Sequence, residues 1–511
     1  MKNANKQRNV AANATVVTAL SVAERGLGFL YRIALSRLIG AEGVGLYQVA
    51  LSLFSLFLTI GTGGIPITVS RMISKSKAEH RPKDETKAVS AGVTLAVLLT
   101  LPVCLFLIPF GNKLTFLFSD ERAFNVFRIL LFGLCFSAVY AVFRGYFWGN
   151  KEFLLPSLLE IAEETVMVIV GILLLQNVTS VTDGAEKAAW AVIISYFFSF
   201  TASTLCYFFR GGKISSPKNK LKPLFNATLP ITSVRASGSL VNSAVAVLLP
   251  VMLVRAGFDN GEALTLFGIV SGMVMPVLFI PSTLIGSLSL VLVPELSEDF
   301  YRKNYARLRK NIERGISFSF LIACALLPFF FAVGEDLGRL AFSNALAGEM
   351  IVKSCFLLLP MCLTMISTSI LNSLGFEKQT FLFYFIGAAA LLLSILLFPA
   401  VCGAYAYIIG LGASFFITGG CNLVFLYKIC RFFEKQWYHV CVHGIFPALL
   451  TILPASLLGK LCDALLSSIC GELLCLILTV LVTLLLTALA YAWLGFLPLD
   501  FLKKKEKRKI L

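Results

Sequence analysis

"SVAERGLGFLYRIALSRLIG", residues 21–40, has the length of a bilayer-crossing helix, yet it contains Glu24, Arg25, Arg32 and Arg37. A hydrocarbon core of ~30 Å takes about 20 apolar residues per helical crossing, and a charge near its centre is costly. The stretch belongs either to a soluble surface or to a membrane helix whose charges face something other than lipid. Composition decides between them. Of 511 residues, 58% are hydrophobic and 14% charged, with a mean hydropathy of +0.85, whereas an ordinary soluble domain is roughly 25% charged.

Outward from that stretch, fourteen apolar segments follow, at about residues 13–39, 45–73, 88–108, 124–147, 157–176, 187–209, 224–254, 264–293, 312–333, 351–373, 379–399, 404–427, 440–458 and 472–494. None alternates as a barrel strand does, and lipid offers an open backbone no partners, so the expected fold class is an all-α polytopic membrane protein. No connection is long enough for a soluble domain. The net charge of +16 sorts by side. With a cytoplasmic N-terminus, 32 of the 44 Lys and Arg fall on inner connections and tails and seven on outer loops. That is the positive-inside pattern, and it places both termini in the cytoplasm. The basic excess answers to insertion and anionic membrane lipids, with no nucleic acid required. "MKNANKQR" runs into the first span without a small-residue cleavage site, so it reads as a retained helix and not a signal peptide.

Five arginines remain inside the spans: Arg25, Arg32, Arg37, Arg128 and Arg235. Arg25 and Arg32 are two turns apart, on one helix face and about 10 Å apart along its axis. Such a face lines a hydrated cavity, or forms structural ion pairs with a packed neighbour, Glu24 being one candidate partner. Arg37 and Arg128 are close enough to span ends to snorkel. In "PSLLEIAEETVMVIVG", Glu160, Glu163 and Glu164 follow at spacings of three and four. Glu164 is the deepest and is the candidate for proton or cation coupling, with Glu24 second. Arg144, ending the fourth span, gives this mouth mixed charge. Pro66 in "GTGGIP", and Pro276, Pro281 and Pro294 in "GMVMPVLFIPSTLIGSLSLVLVP", remove backbone donors; Pro66, Pro276 and Pro281 are the expected hinges.

A weak internal repeat organises the chain. Arg25 and Arg235 are 210 apart, "LYQVALSLF" and "LFGIVSGMV" 220 apart, and "GNKEF" and "GFEKQTF" 226 apart. Six spans per copy preserves orientation, so two pseudo-symmetric six-helix lobes around a central cavity are expected, with two helices appended. The divisions are 1–210, an interlobe linker 211–223, 224–427, a linker 428–439, helices in 440–494 and a basic tail 495–511. The 13 cysteines lack metal-ligand spacing, and within spans a thiol behaves as a small apolar group. Cys462 and Cys470 are the one pair considered for a disulfide, against free thiols. His80, His439 and His443 are too scattered for a metal site, and no cofactor is implied.

"GFLYRIALSRLIGAEGVGLYQVALSLFSLFLTIGTGGIPITVSRMIS", with "FRGYFWGNKEFLLPSLLEIAEE", "TLPITSVRASGSL" and "FGIVSGMVMPVLFIPSTLIGSLSLVLVPELSED", resembles the stage V sporulation protein B group of polysaccharide transporters. That group belongs to the multidrug/oligosaccharidyl-lipid/polysaccharide flippase superfamily. The resemblance, over about residues 10–430, implies two six-helix lobes, alternating access and export of a lipid-linked glycan in cell-wall or spore-cortex peptidoglycan synthesis, with the cell-wall synthesis machinery as a possible partner. A more distant similarity to lipid II flippases carries over cavity arginines as Arg25, Arg32 and Arg235. Gly26 and Val168 stand where that group often has an acidic residue and an arginine.

The chemistry agrees with that expectation. A polyprenyl diphosphate-sugar carries at least two negative charges, and arginine offers phosphate a planar fork of donors. The expected function is movement of a lipid-linked oligosaccharide or peptidoglycan precursor from the inner to the outer leaflet of a bacterial cell membrane. An antiporter of the multidrug and toxic compound extrusion type is the alternative; it favours cavity carboxylates over clustered arginines. A glycan polymerase would need a loop bearing acid and base groups, and Asp120–Glu121 and Glu335–Asp336 read as solvated loop charge, so no catalytic residues are assigned. A scramblase or scaffold without coupled transport is the remaining class.

Overall fold

The computed structural model describes residues 2–110, 118, 120–430, 446–466 and 471–493. Lys113, Lys435, His439, His443, Cys470 and the basic tail lie outside the described residues, and with Cys470 the Cys462–Cys470 pairing. Among the described residues every regular element is a helix, and ten helices are long and apolar enough to cross a membrane, or eleven with one bent pair counted as a span. The chain forms two compact units, Met1–Gly272 and Met273–Leu511.

The first unit opens with α1, Lys2–Thr62, whose 61 residues would extend about 90 Å, far beyond one bilayer. It is broken at Gly40, with φ 71° and ψ 178°, a backbone that glycine adopts without steric cost. The expected loop between the first two spans is therefore a one-residue break, because Ala41 and Glu42 resume the helix at once. After a second break at Gly63–Gly64 comes α2, Ile65–Ala78. A side chain at Gly64 would meet the Thr228 carbonyl at 2.6 Å, and the Gly64 amide donates to Thr232 Oγ1 at 3.0 Å. Pro66 falls in the first turn of α2, where its missing N–H costs nothing.

Next come α3 (Pro82–Phe110), α4 (Glu121–Leu131) and α5 (Leu134–Gly149). The expected fourth span is thus two helices bent by 45° about Phe132 and Gly133, a bend the apolar pattern runs straight through. Asp120 caps α4 and also binds the Arg122 guanidinium, which reaches Glu42 of α1 at 2.7 Å. These charges fasten a helix start, which differs from free loop charge. Two further helices, α6 (Leu154–Leu175) and α7 (Val181–Phe209), lead to a linker held down by the Ser215 amide on Ser90 Oγ at 2.9 Å and by Lys220 on Asp84 at 3.0 Å.

Helix α8 (Leu221–Arg255) lies on the second half of α1 through Thr59–Ser239 and Ser243–Ser52 contacts of 2.8 and 2.7 Å. The eighth apolar stretch is broken as its glycines and prolines suggest. It comprises α9 (Asn260–Phe267), a π-helical stretch Gly268–Val274, α10 (Met275–Leu278) and α11 (Ile280–Tyr301). Pro276 and Pro281 each occupy a first turn, and Pro294 lies inside α11. Gly45 and Gly268 form a bare crossing: a Cβ on Gly45 would lie 2.1 Å from the Leu264 carbonyl, and one on Gly268 would lie 2.1 Å from that of Ala41.

In the second unit, α12 (Tyr305–Phe342) is followed by α13 (Ala345–Ser354), α14 (Leu358–Ser373), α15 (Glu377–Leu397), the short α16 (Pro399–Cys402) and α17 (Tyr405–Cys430). The last pair, α18 (Phe446–Leu466) and α19 (Glu472–Trp493), packs on α12. Gly459 lets α18 approach Ala332 and Thr483, Tyr491 donates to the Leu321 carbonyl at 3.1 Å, and Lys460 stacks over Phe331 at 4.8 Å.

Candidate functional site

A cavity of about 200 Å³ lies within the first unit, among α1, α6, α7 and Gly272. Its polar lining is Arg32, Glu164, Gln48 and the three tyrosines Tyr31, Tyr47 and Tyr196. Two glycines bring the helices together. Glu164 lies over Gly28, whose Cβ would sit 2.7 Å from Oε1, and the Tyr31 ring lies on Gly171, whose Cβ would sit 2.5 Å from it. Larger residues at 28 or 171 would push α6 off α1 and open the gap the cavity occupies. Gln48 is turned by its Nε2 donating to the Ser271 carbonyl at 3.4 Å.

The cavity has room for only a few waters, each with a ≈ 30 Å³ share of liquid volume, or for a small ion. Its Arg32 and Glu164 charges act on each other, so the cationic and anionic groups offset each other in a region where an isolated charge would be costly.

A second polar group adjoins on α6. Arg144 of α5 pairs with Glu160 at 3.0 Å and stacks over Trp148 and Tyr140 at 5.2 and 5.9 Å. Glu24 lies within electrostatic reach of Glu160, Arg25 and Arg144. Glu163 keeps one buried carboxylate oxygen with no protein partner.

Arg32 and Glu164 therefore share one cavity, and Glu24 belongs to the neighbouring Arg144–Glu160 group. Arg25 and Arg235 are exposed on α1 and α8 and do not line this cavity; Arg37 and Arg128 are also at the surface. Tyr31, Tyr47, Gln48 and Tyr196 were not singled out from the sequence, because a tyrosine in an apolar run reads as core. The available signal was "LYR" and "LYQ", a ring beside a polar group sixteen residues apart on one helix.

Many membrane-length helices, glycine-broken spans and charges held inside a helical bundle define a polytopic membrane protein. The pattern of the polysaccharide biosynthesis protein family matches residues 10–300, more than half the chain, and the chain belongs to that family. It is 26% identical over 361 residues to "Stage V sporulation protein B" of Bacillus subtilis (strain 168), covering 67% of this chain and 69% of that protein. It is 23% identical over 326 residues to "Lipid II flippase MurJ" of the same organism, covering 58% and 60%. In fold it is similar to a solved Lipid II flippase MurJ, inward closed conformation, with TM-score 0.68 at 15% identity over 96% of this chain and 99% of that one. It is also similar to an inward-facing multidrug resistance MATE family transporter of the MOP superfamily, with TM-score 0.60 at 14% identity over 79% and 94%.

Proposed function

We propose that this protein is a flippase, not an enzyme, that moves a lipid-linked polyprenyl diphosphate oligosaccharide or peptidoglycan precursor from the inner to the outer leaflet by alternating access, in cell-wall or spore-cortex synthesis. The observation that carries the reading is the sequence relationship to both a stage V sporulation protein and a lipid II flippase, joined to an arginine held inside the membrane region at Arg32. On this reading Arg25, Arg32 and Arg235 handle the diphosphate head. Glu164, with Glu24, couples the cycle to a proton or cation, and Pro66, Pro276 and Pro281 mark its hinges. The lobes are 1–210 and 224–427, the spans number fourteen, and both termini are cytoplasmic. The cell-wall synthesis machinery would receive the product.

A drug/cation antiporter is the second reading, favoured by the Glu164 carboxylate in a cavity of about 200 Å³. Reconstituted vesicles given lipid II, another polyprenyl diphosphate-sugar and a cationic drug separate the two: protein-dependent flipping of either lipid is expected, and transport of the drug alone would overturn the flippase. The topology has its own test. In a cysteine-free background, single cysteines at 80, 216 and 306 should label from the cytoplasm and those at 183 and 259 from outside. External labelling at 216 would refute the fourteen-span map.

A further inference from the structure

Cys104 of α3 and Cys135 of α5 are free thiols 4.0 Å apart, Sγ to Sγ. They meet at the bend between α4 and α5. Cys104 donates to the carbonyl of Leu131, the last residue of α4, at 3.2 Å, while Cys135 is the second residue of α5. Cys135 Sγ also lies 3.4 Å from Thr100 Oγ1, and the Thr100 proton is committed to the Ala96 carbonyl at 2.7 Å. With the Cys104 and Thr100 protons both directed at carbonyls, the Cys135 S–H is the one donor left, and both neighbours are oriented to accept it.

We propose that Cys104 and Cys135 form a dithiol modification site that closes to a disulfide by exchange with a small, lipid-soluble disulfide, fixing α3 to the α4–α5 bend. Cys104 is buried, whereas Cys135 is partly exposed, and α3 presents the exposed Leu101, Leu105 and Phe106 on neighbouring positions. An apolar reagent therefore reaches Cys135 first. The Cys135 sulfur, losing its proton, attacks the reagent, whose S–S bond breaks and releases one thiol. The Cys104 sulfur, losing its proton in turn, attacks the Cys135 sulfur of the mixed disulfide and expels the second thiol. Two cysteine thiols are oxidised and one external disulfide is reduced to two thiols, which carry off the protons. The sulfurs must approach from 4.0 Å to about 2.05 Å. Closure removes the Cys104 S–H from the Leu131 carbonyl, so the covalent link replaces a hydrogen bond at the bend.

The sequence alone does not show this pair, since 31 residues and an α3–α4 connection separate two cysteines that each read as core. Among the described residues it is also distinct from the Arg32–Glu164 cavity, whose lining includes neither thiol.

The test treats the purified full-length protein with 2,2′-dithiodipyridine and maps the products by peptide mass spectrometry, with Cys402, a partly exposed cysteine of the second unit, as the internal comparison. Expected is a Cys104–Cys135 cross-linked peptide lacking two hydrogens, with the pyridylthio adduct at Cys135 at least about ten-fold less abundant than in Cys104→Ala, because the second step is intramolecular. Cys402 should carry a stable adduct. A long-lived adduct at Cys135 in the unmodified protein, or both thiols untouched while Cys402 reacts, would overturn the proposal. Cys104→Ala and Cys135→Ala are checked for unchanged thermal unfolding, and in a poorly folded variant the cross-linked peptide of the unmodified protein alone decides.

Discussion

In Met1–Gly272, α6 meets its neighbours through charge: Glu160 pairs with Arg144 of α5, and Glu164 lies beside Arg32 of α1. In Met273–Leu511, α17 meets α14 through neutral groups. Asn422 donates to Ser367 Oγ at 3.1 Å and Thr368 Oγ1 at 2.8 Å, and Thr364 donates to the Phe415 carbonyl at 2.6 Å. Both solutions hold polar groups within the membrane region, but they do not cost the same. Neutral hydrogen bonds between membrane helices contribute modestly and need no counter-charge, whereas a carboxylate or guanidinium there must be compensated continuously. The α14–α17 contact demonstrates that helix adhesion can be met without charge. The charges on α6 therefore call for another reason, and the proposed flippase cycle would supply one.

The largest effect is expected at Arg32. Arg32→Ala should lower lipid flipping by about 10- to 100-fold, the equivalent of about 1.5–3 kcal/mol for a hydrogen bond to a charged group. Arg32→Lys keeps the charge but loses the fork and should retain part of the activity. Flipping rates in vesicles, normalised to folded protein, check both. If Arg32→Ala fails but Arg32→Ala with Glu164→Gln recovers, Arg32 is only a counter-ion, and the contrast between the units reduces to ion-pair packing. Glu164→Gln alone should alter dependence on a proton or sodium gradient while leaving binding of the lipid intact. Unchanged gradient dependence in a transport-competent variant would make Glu164 structural.

A smaller and purely structural effect is expected at Arg144. Its pair with Glu160 is about a quarter exposed on each side, 28% and 22%. The ~3–5 kcal/mol loss seen on breaking a fully buried pair should thus be discounted to about 1–3 kcal/mol. Arg144→Ala also forfeits stacking on Trp148 and Tyr140. Thermal unfolding in detergent should register the single change, and Glu160→Gln added to it should recover part of the loss by removing the orphaned carboxylate.

The helices themselves are legible because apolar runs and Gly–Pro breaks are local properties. "GTGGIP" marks the Gly63–Gly64 break, and "GMVMPVLFIP" marks the interrupted eighth stretch. The 45° bend at Gly133 was not legible, because a lone glycine in an apolar run carries no helical period of its own. The apolar pattern places Gly40 in a loop, since it does not distinguish a short connection from one residue of unusual φ. Arg32 and Glu164 were individually conspicuous as charges in apolar runs. Their sharing of a cavity depends on Gly28 and Gly171, whose role is to be small, and on tyrosines that composition counts as hydrophobic. Arg25 and Arg32 share a helix face by spacing, yet Arg25 is exposed and only Arg32 lines the cavity. Seven residues set a direction on a helix, but not what each end of that face meets.

The smallest effect should be at Asn422, where the neutral half of the comparison is most open to refutation. Asn422→Leu removes two hydrogen bonds, but it also removes the buried Oδ1, which has no protein partner. Ser367 still donates to the Thr364 carbonyl at 3.2 Å, so its proton is not orphaned. Interhelical hydrogen bonds of this kind average about 0.6 kcal/mol in membranes. Asn422→Leu should therefore shift thermal unfolding less than Arg144→Ala and leave lipid flipping within about two-fold, since a rate factor of two is about 0.4 kcal/mol. Loss of flipping in a normally stable Asn422→Leu protein would place a transport role in the second unit's neutral network, and the division of labour drawn from charge would fall with it.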